Sequence, residues 1–143
     1  MIDRPTAERL LGRAREASTR AYAPYSGFPV GAAVLVPSGE VFEGANIENA
    51  SYPLTCCAER VAVFRAVMAG HREVEAVAVY GPKASPCPPC GACRQVLNEW
   101  RPHDGDMAVV LEAPGGAEVV SLGDLLPRSF GPRNLEAAGS GNP

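Results

Sequence analysis

The five cysteines of this 143-residue chain fall into two clusters, Cys56-Cys57 and Cys87, Cys90 and Cys93. An odd number of thiols grouped this way points to metal binding or catalysis before disulfides. In Cys90-Gly91-Ala92-Cys93 the sulfurs are three residues apart, so one helical turn would present both on one side. Cys57, at the start of a second helix, can supply a third sulfur. Three protein ligands leave one tetrahedral position for water, the pattern of a catalytic rather than a structural zinc. Glu59, two residues after Cys57, can reach such a water without ligating the metal. Alone, a glutamate there would only stabilise a helix N-terminus; beside a ligand, it reads as a proton shuttle.

A rival assignment treats Cys87-Pro88-Pro89-Cys90-Gly91-Ala92-Cys93 as part of a structural zinc or iron–sulfur site. A ferredoxin-type run would continue to a fourth cysteine followed by proline, whereas Arg94 and Gln95 follow Cys93. Cys56 and Cys87 are then small buried or partly exposed thiols. Three thiolates around one zinc also leave excess negative charge, which weakens acidification of bound water. Arg60 could offset it by donating to the sulfurs, assisted by the helix N-termini, or could be an ordinary exposed helix residue.

The elements that must position these groups follow from periodicity. Thr6 to Ala23 reads as an amphipathic helix with Leu10, Leu11, Ala14, Ala17 and Ala21 on one stripe, ended by Pro24. Val30–Val36 and Val41–Asn46 read as strands around the turn Pro37-Ser38-Gly39-Glu40. From Cys57 the spacing is helical, with Val61, Phe64 and Met68 on one face and Gly70 at the end. Glu75–Tyr80 reads as a buried strand, and Ala92–Trp100 as a helix that Pro86, Pro88 and Pro89 prevent from starting earlier. Met107–Leu111 and Ala117–Ser121 add two strands around Pro114-Gly115-Gly116, and Gly123–Leu126 a short helix. The order α-β-β-α-β-α-β-β-α predicts an α/β fold: a mixed five-stranded sheet covered by helices. Residues 1–136 form a single domain in this reading, and the Gly- and Ser-rich tail 137–143 is expected to be disordered.

Composition narrows the partners. Hydrophobic residues at 46% and charged residues at 20% are typical of a globular enzyme. A formal net charge of -3 leaves no basic face to neutralise a phosphate backbone, so nucleic acid is not an expected partner. Asp3, Arg4, Glu8, Arg9, Arg13, Arg15 and Glu16 interrupt any apolar leader, and no stretch approaches membrane-spanning length. The expectation is a cytoplasmic protein without a membrane partner.

Several segments together resemble the small zinc-dependent cytidine deaminases, a family that is usually homotetrameric. They are Ala23-Pro24-Tyr25-Ser26, Phe28-Pro29-Val30-Gly31-Ala32-Ala33, Asn46-Ile47-Glu48-Asn49-Ala50, Cys57-Ala58-Glu59-Arg60, Pro89-Cys90-Gly91-Ala92-Cys93-Arg94-Gln95-Val96, and Leu125-Leu126-Pro127 followed by Phe130. Cys57 stands where the wider zinc deaminases carry histidine. The resemblance implies that Cys57, Cys90 and Cys93 bind Zn2+ and that zinc-bound hydroxide attacks C4 of the cytosine ring. Glu59 would shuttle the proton, and uridine or 2'-deoxyuridine would leave with ammonia. It further implies a nucleoside substrate, a role in pyrimidine salvage, and a homotetramer with shared active sites. Asn46 and Glu48 would hold the ribose hydroxyls, Phe28 and Ala58 would line the substrate pocket, and Phe130 would reach a neighbouring subunit's pocket. Without the resemblance, Asn46 and Glu48 read as strand-end or turn residues and Phe28 as core. A deaminase of a related base, a polynucleotide editor and a zinc-stapled binding module are the competing functions.

Overall fold

The computed structural model describes residues 1–137. Every residue of β1 (Gly31–Leu35) is buried, as are the first four of β3 (Ala76–Tyr80) and of β4 (Ala108–Ala113). Such continuous apolar runs arise where both faces of a sheet are covered. The edge strands, β2 (Val41–Ala45) and β5 (Gly116–Ser121), are more open, and the spatial order is β2-β1-β3-β4-β5. Neighbours are antiparallel except β3 and β4, which run parallel and are joined through α3 (Gly91–Glu99). A parallel pair needs such a crossover.

Side chains alternate between the two faces along each strand. Ala33 and Leu35, Ala76 and Ala78, and Ala108 and Val110 meet Ala7, Leu10, Leu11 and Ala14 of α1 (Arg4–Ser18). Ala32 and Val34, Val77 and Val79, and Val109 and Leu111 face the other way. There they pack against Ala58, Ala62, Val63 and Ala66 of α2 (Ala58–Met68), Leu97 of α3, and Leu122 of α4 (Leu122–Leu125). Two glycines set how closely the helices sit. A Cβ on Gly31 would lie 1.9 Å from Ala14 O, and one on Gly44 would lie 2.4 Å from Ala62 N and 2.5 Å from Ala58 O. The α2 backbone therefore rests directly on β2 at the turn that begins with Ala58.

The expected α/β architecture holds, with shifted boundaries. The first helix starts at Arg4 because Asp3 accepts a hydrogen bond from Thr6 N at 2.9 Å. It stops at Ser18, well before Pro24, where the hydroxyls of Ser18 and Thr19 turn back onto Arg15 O and Glu16 O. Tyr22 then bridges to Ile47 instead of continuing the helix. Two elements were not expected: a 3-10 turn at Tyr52–Leu54, and α5 (Pro132–Ala137). Most of the tail expected to be disordered, 138–143, lies outside the described residues, and Ala137 closes α5. Among the described residues, no helix is long and apolar enough to cross a membrane.

Candidate metal centre

Cys57 and Cys90 are the N-cap residues of α2 and α3, both in extended conformation, with φ near -71° and -67°. Neither side chain caps its own helix, so both sulfurs are left to converge at the two N-termini. Cys93, one turn into α3, completes the group: the three sulfurs lie within 4.8 Å of one another. Cys93 is buried, Cys57 half-buried and Cys90 exposed, so the cluster opens to solvent on one side. Cys56 and Cys87 stay outside it. The spacing alone had left Cys87 as a rival ligand; among the described residues, the sulfurs that converge are those of Cys57, Cys90 and Cys93.

The electrostatics favour negative charge on one sulfur of the three, that of Cys57. The hydrogen bond from Cys93 and the adjacent Arg60 guanidinium pull the Cys57 thiol down to about 5, against the effect of its burial. Cys93, as the donor in that bond and a buried group, is pushed up. Arg60 Nη2 lies 3.4 Å from Cys57 Sγ and 3.2 Å from Thr55 O, which ties the guanidinium to the cluster. Its Nε is buried without a hydrogen-bond partner. Of the two readings of Arg60, the counter-charge is the one its contacts support. Glu59 is only 4% exposed. Burial raises its carboxyl above the ordinary range, the charge of Cys57 adds to this, and Cys93 and Arg60 partly oppose it. Three soft sulfurs form a donor set suited to a thiophilic divalent metal such as zinc, and two helix N-termini and a fixed cation offset their negative charge.

The cytidine and deoxycytidylate deaminase zinc-binding region matches residues 4–109 of the chain. The chain belongs to the cytidine deaminase family. It is 44% identical to a cytidine deaminase of Sporosarcina psychrophila over 132 residues, covering 92% of this chain and 96% of that protein. With a cytidine deaminase of Halalkalibacterium halodurans it shares 48% identity over 121 residues, 85% of this chain and 91% of the relative. The crystal structure of cytidine deaminase from Burkholderia pseudomallei superposes with a TM-score of 0.78 at 46% identity, covering 90% of this chain and all (100%) of that one.

Around the cysteines, this deaminase chain arranges its other expected site residues in different ways. Phe28 approaches the loop after β3: a Cβ placed on Gly81 would meet Cys87 Sγ at 3.0 Å and Phe28 Cε1 at 3.8 Å. Asn46, buried at the end of β2, accepts from Val30 N and donates to Phe28 O, both at 2.9 Å. Glu48 Oε1 accepts from Tyr25 N at 2.9 Å and Ser26 N at 3.1 Å, and its other oxygen accepts from the Ser26 hydroxyl. These bonds hold the Glu48 carboxyl below the usual carboxylate range. Both residues therefore shape the segment that carries Phe28. The Ala58 side chain is fully buried against the sheet. Phe130 is tethered through its carbonyl to Gln95 Nε2 at 2.9 Å and Asn98 Nδ2 at 3.1 Å, while the residue stays 60% exposed.

Two residues that position the site had no assigned role in the sequence reading. Arg94 donates to Pro89 O at 2.8 Å and Leu125 O at 2.9 Å, fixing the peptide just before Cys90. Its signal is an arginine directly after the second cysteine of a Cys-x-x-Cys pair. Gly44 seats α2, and a lone glycine inside a strand pattern is the corresponding signal.

Proposed function

We propose that the chain hydrolyses cytidine and 2'-deoxycytidine to uridine and 2'-deoxyuridine, releasing ammonia, as a pyrimidine-salvage enzyme of the cytoplasm. The observation that carries this reading is a buried carboxyl, Glu59, in the same helical turn as one sulfur of a three-sulfur cluster. A structural metal staple needs no such group. Cys57, Cys90 and Cys93 would hold Zn2+, which when bound supplies a Lewis acid that makes water nucleophilic near neutral pH.

The chain's own residues do the rest. Glu59, its affinity for a proton raised by burial, takes the proton of the attacking water as oxygen adds to C4 of the ring. It delivers that proton to ring N3 and then helps protonate the departing amine, so water and cytidine become uridine and ammonia. Arg60 holds positive charge against Cys57 and limits the excess negative charge of three thiolates. Phe28 lines the base pocket, Asn46 and Glu48 serve the ribose side, and the main chain at Ala58 offers an unpaired first-turn N–H to the ring. Five free cysteines suit a reducing compartment.

Self-association is part of the same proposal: a homotetramer in which Phe130 reaches a neighbour's pocket. Ile47, Leu54, Cys56, Val61, Phe64 and Met68 line an open, largely apolar groove of about 410 Å³. Phe64 is 46% and Met68 86% exposed beside this groove, apolar surface that association of copies would cover.

Purified, zinc-loaded protein should release one ammonia per cytidine as the cytidine absorbance falls. Unchanged cytidine alongside turnover of a different aminated base would move the substrate assignment; greater activity on oligonucleotides than on free nucleoside would replace it.

A further inference from the structure

Residues 25–30 lie in no strand, yet side chains grip them at close intervals. Besides the bonds from Glu48 and Asn46, Ser26 Oγ accepts from Phe28 N at 3.0 Å. These grips come from the end of β2 or from the segment itself. One comes from the opposite side: Lys83 Nζ donates to Gly27 O at 2.5 Å. Lys83, the chain's single lysine, sits in the loop that runs from β3 to Cys90 and is pinched at its start by the Gly81–Ala84 bridge. That loop also meets Phe28 directly, because Gly81 leaves room for Cys87 and the aromatic ring to close around it. The two segments thus meet at consecutive residues: Lys83 bonds the Gly27 carbonyl, and the Phe28 ring comes close enough to Gly81 that an added Cβ would lie 3.8 Å from it.

We propose that Lys83 is a positioning residue for the nucleoside site, clasping the Gly27 carbonyl so that Phe28 is held against the loop that presents Cys90. The proposal rests on the reading of Phe28 as the aromatic of the base pocket. A charged donor makes a stronger bond to a carbonyl than a neutral one, and the long lysine stem spans the gap between two loops. Lys83 lies outside the sulfur cluster, and its hydrogen bond among the described residues is to a backbone carbonyl. Its loss should therefore weaken the grip on the base and leave the chemical step alone.

The test compares Lys83→Met and Lys83→Arg with the unaltered zinc-loaded protein. For Lys83→Met, KM for cytidine is expected to rise about five- to tenfold, near the loss of one solvent-exposed hydrogen bond, with kcat within about twofold. Lys83→Arg, still a cationic donor, should recover most of the loss. Amide hydrogen exchange, which needs no turnover, should quicken at residues 25–28 in Lys83→Met while α2 and α3 keep their protection. Unaltered exchange there, or a fall in kcat at constant KM, overturns the clasp. If even the unaltered protein leaves cytidine intact, the substrate reading falls and the exchange result alone decides the clasp.

Discussion

At the scale of single residues, the site depends on a division of labour between sulfur and carboxylate. Glu59 is buried on the first turn of α2, and in the proposed mechanism it exchanges a proton with substrate while the thiols hold the metal. Glu59→Gln keeps the shape and the hydrogen-bonding capacity but cannot carry the proton. Zinc content by atomic absorption and the circular dichroism spectrum should be unchanged, while kcat falls by about two to four orders of magnitude. Retained turnover would remove Glu59 from the mechanism. The types and spacing of these residues were legible in the sequence because ligand chemistry demands cysteine and because one helical turn fixes the Cys90–Cys93 separation. The roles of Arg94 and Lys83 were not legible, since each acts through a carbonyl far along the chain or across the site.

At the scale of elements, the cluster exists because two helices begin at one place. Cys57 and Cys90 are 33 residues apart in the numbering, yet each is the N-cap of a helix packed on the same face of the sheet. Gly44 determines how low α2 can sit, with backbone atoms of Ala58 and Ala62 where a Cβ would go. No rotamer change relieves a clash with backbone. Gly44→Ala is therefore expected to lower stability by about 1–3 kcal/mol, the usual range for overpacking, and to weaken zinc retention because Cys57 moves with the helix. Thermal melts with and without chelator would check both, and a wild-type melting profile would show that α2 is not seated on Gly44. Periodicity located most of these elements but not their ends. The first helix ends on local hydroxyl-to-carbonyl bonds at Ser18 and Thr19, which compete with helix continuation and leave no mark on the apolar stripe.

For the whole molecule, the outward face of α2 and the exposed Phe130 are the features that a monomer leaves unexplained. If the groove joins copies of the chain, Phe64→Glu should shift the mass seen by light scattering toward the monomer, and activity should fall with it because the proposed tetramer shares its sites. An unaltered protein that already runs as a monomer would refute this. The sequence by itself determined the ligand types, the carboxylate beside them, the five strands and the covered sheet, because these depend on local chemistry and on the periods 2 and 3.6. Only the tertiary structure brought the sulfurs of Cys57, Cys90 and Cys93 within 4.8 Å of one another, chose between the two readings of Arg60 by setting it against Cys57, and showed that Asn46 and Glu48 hold the Phe28 segment. Those outcomes turn on how two helices and three loops pack against one sheet, and such packing joins residues whose separation along the chain carries no trace of their contact.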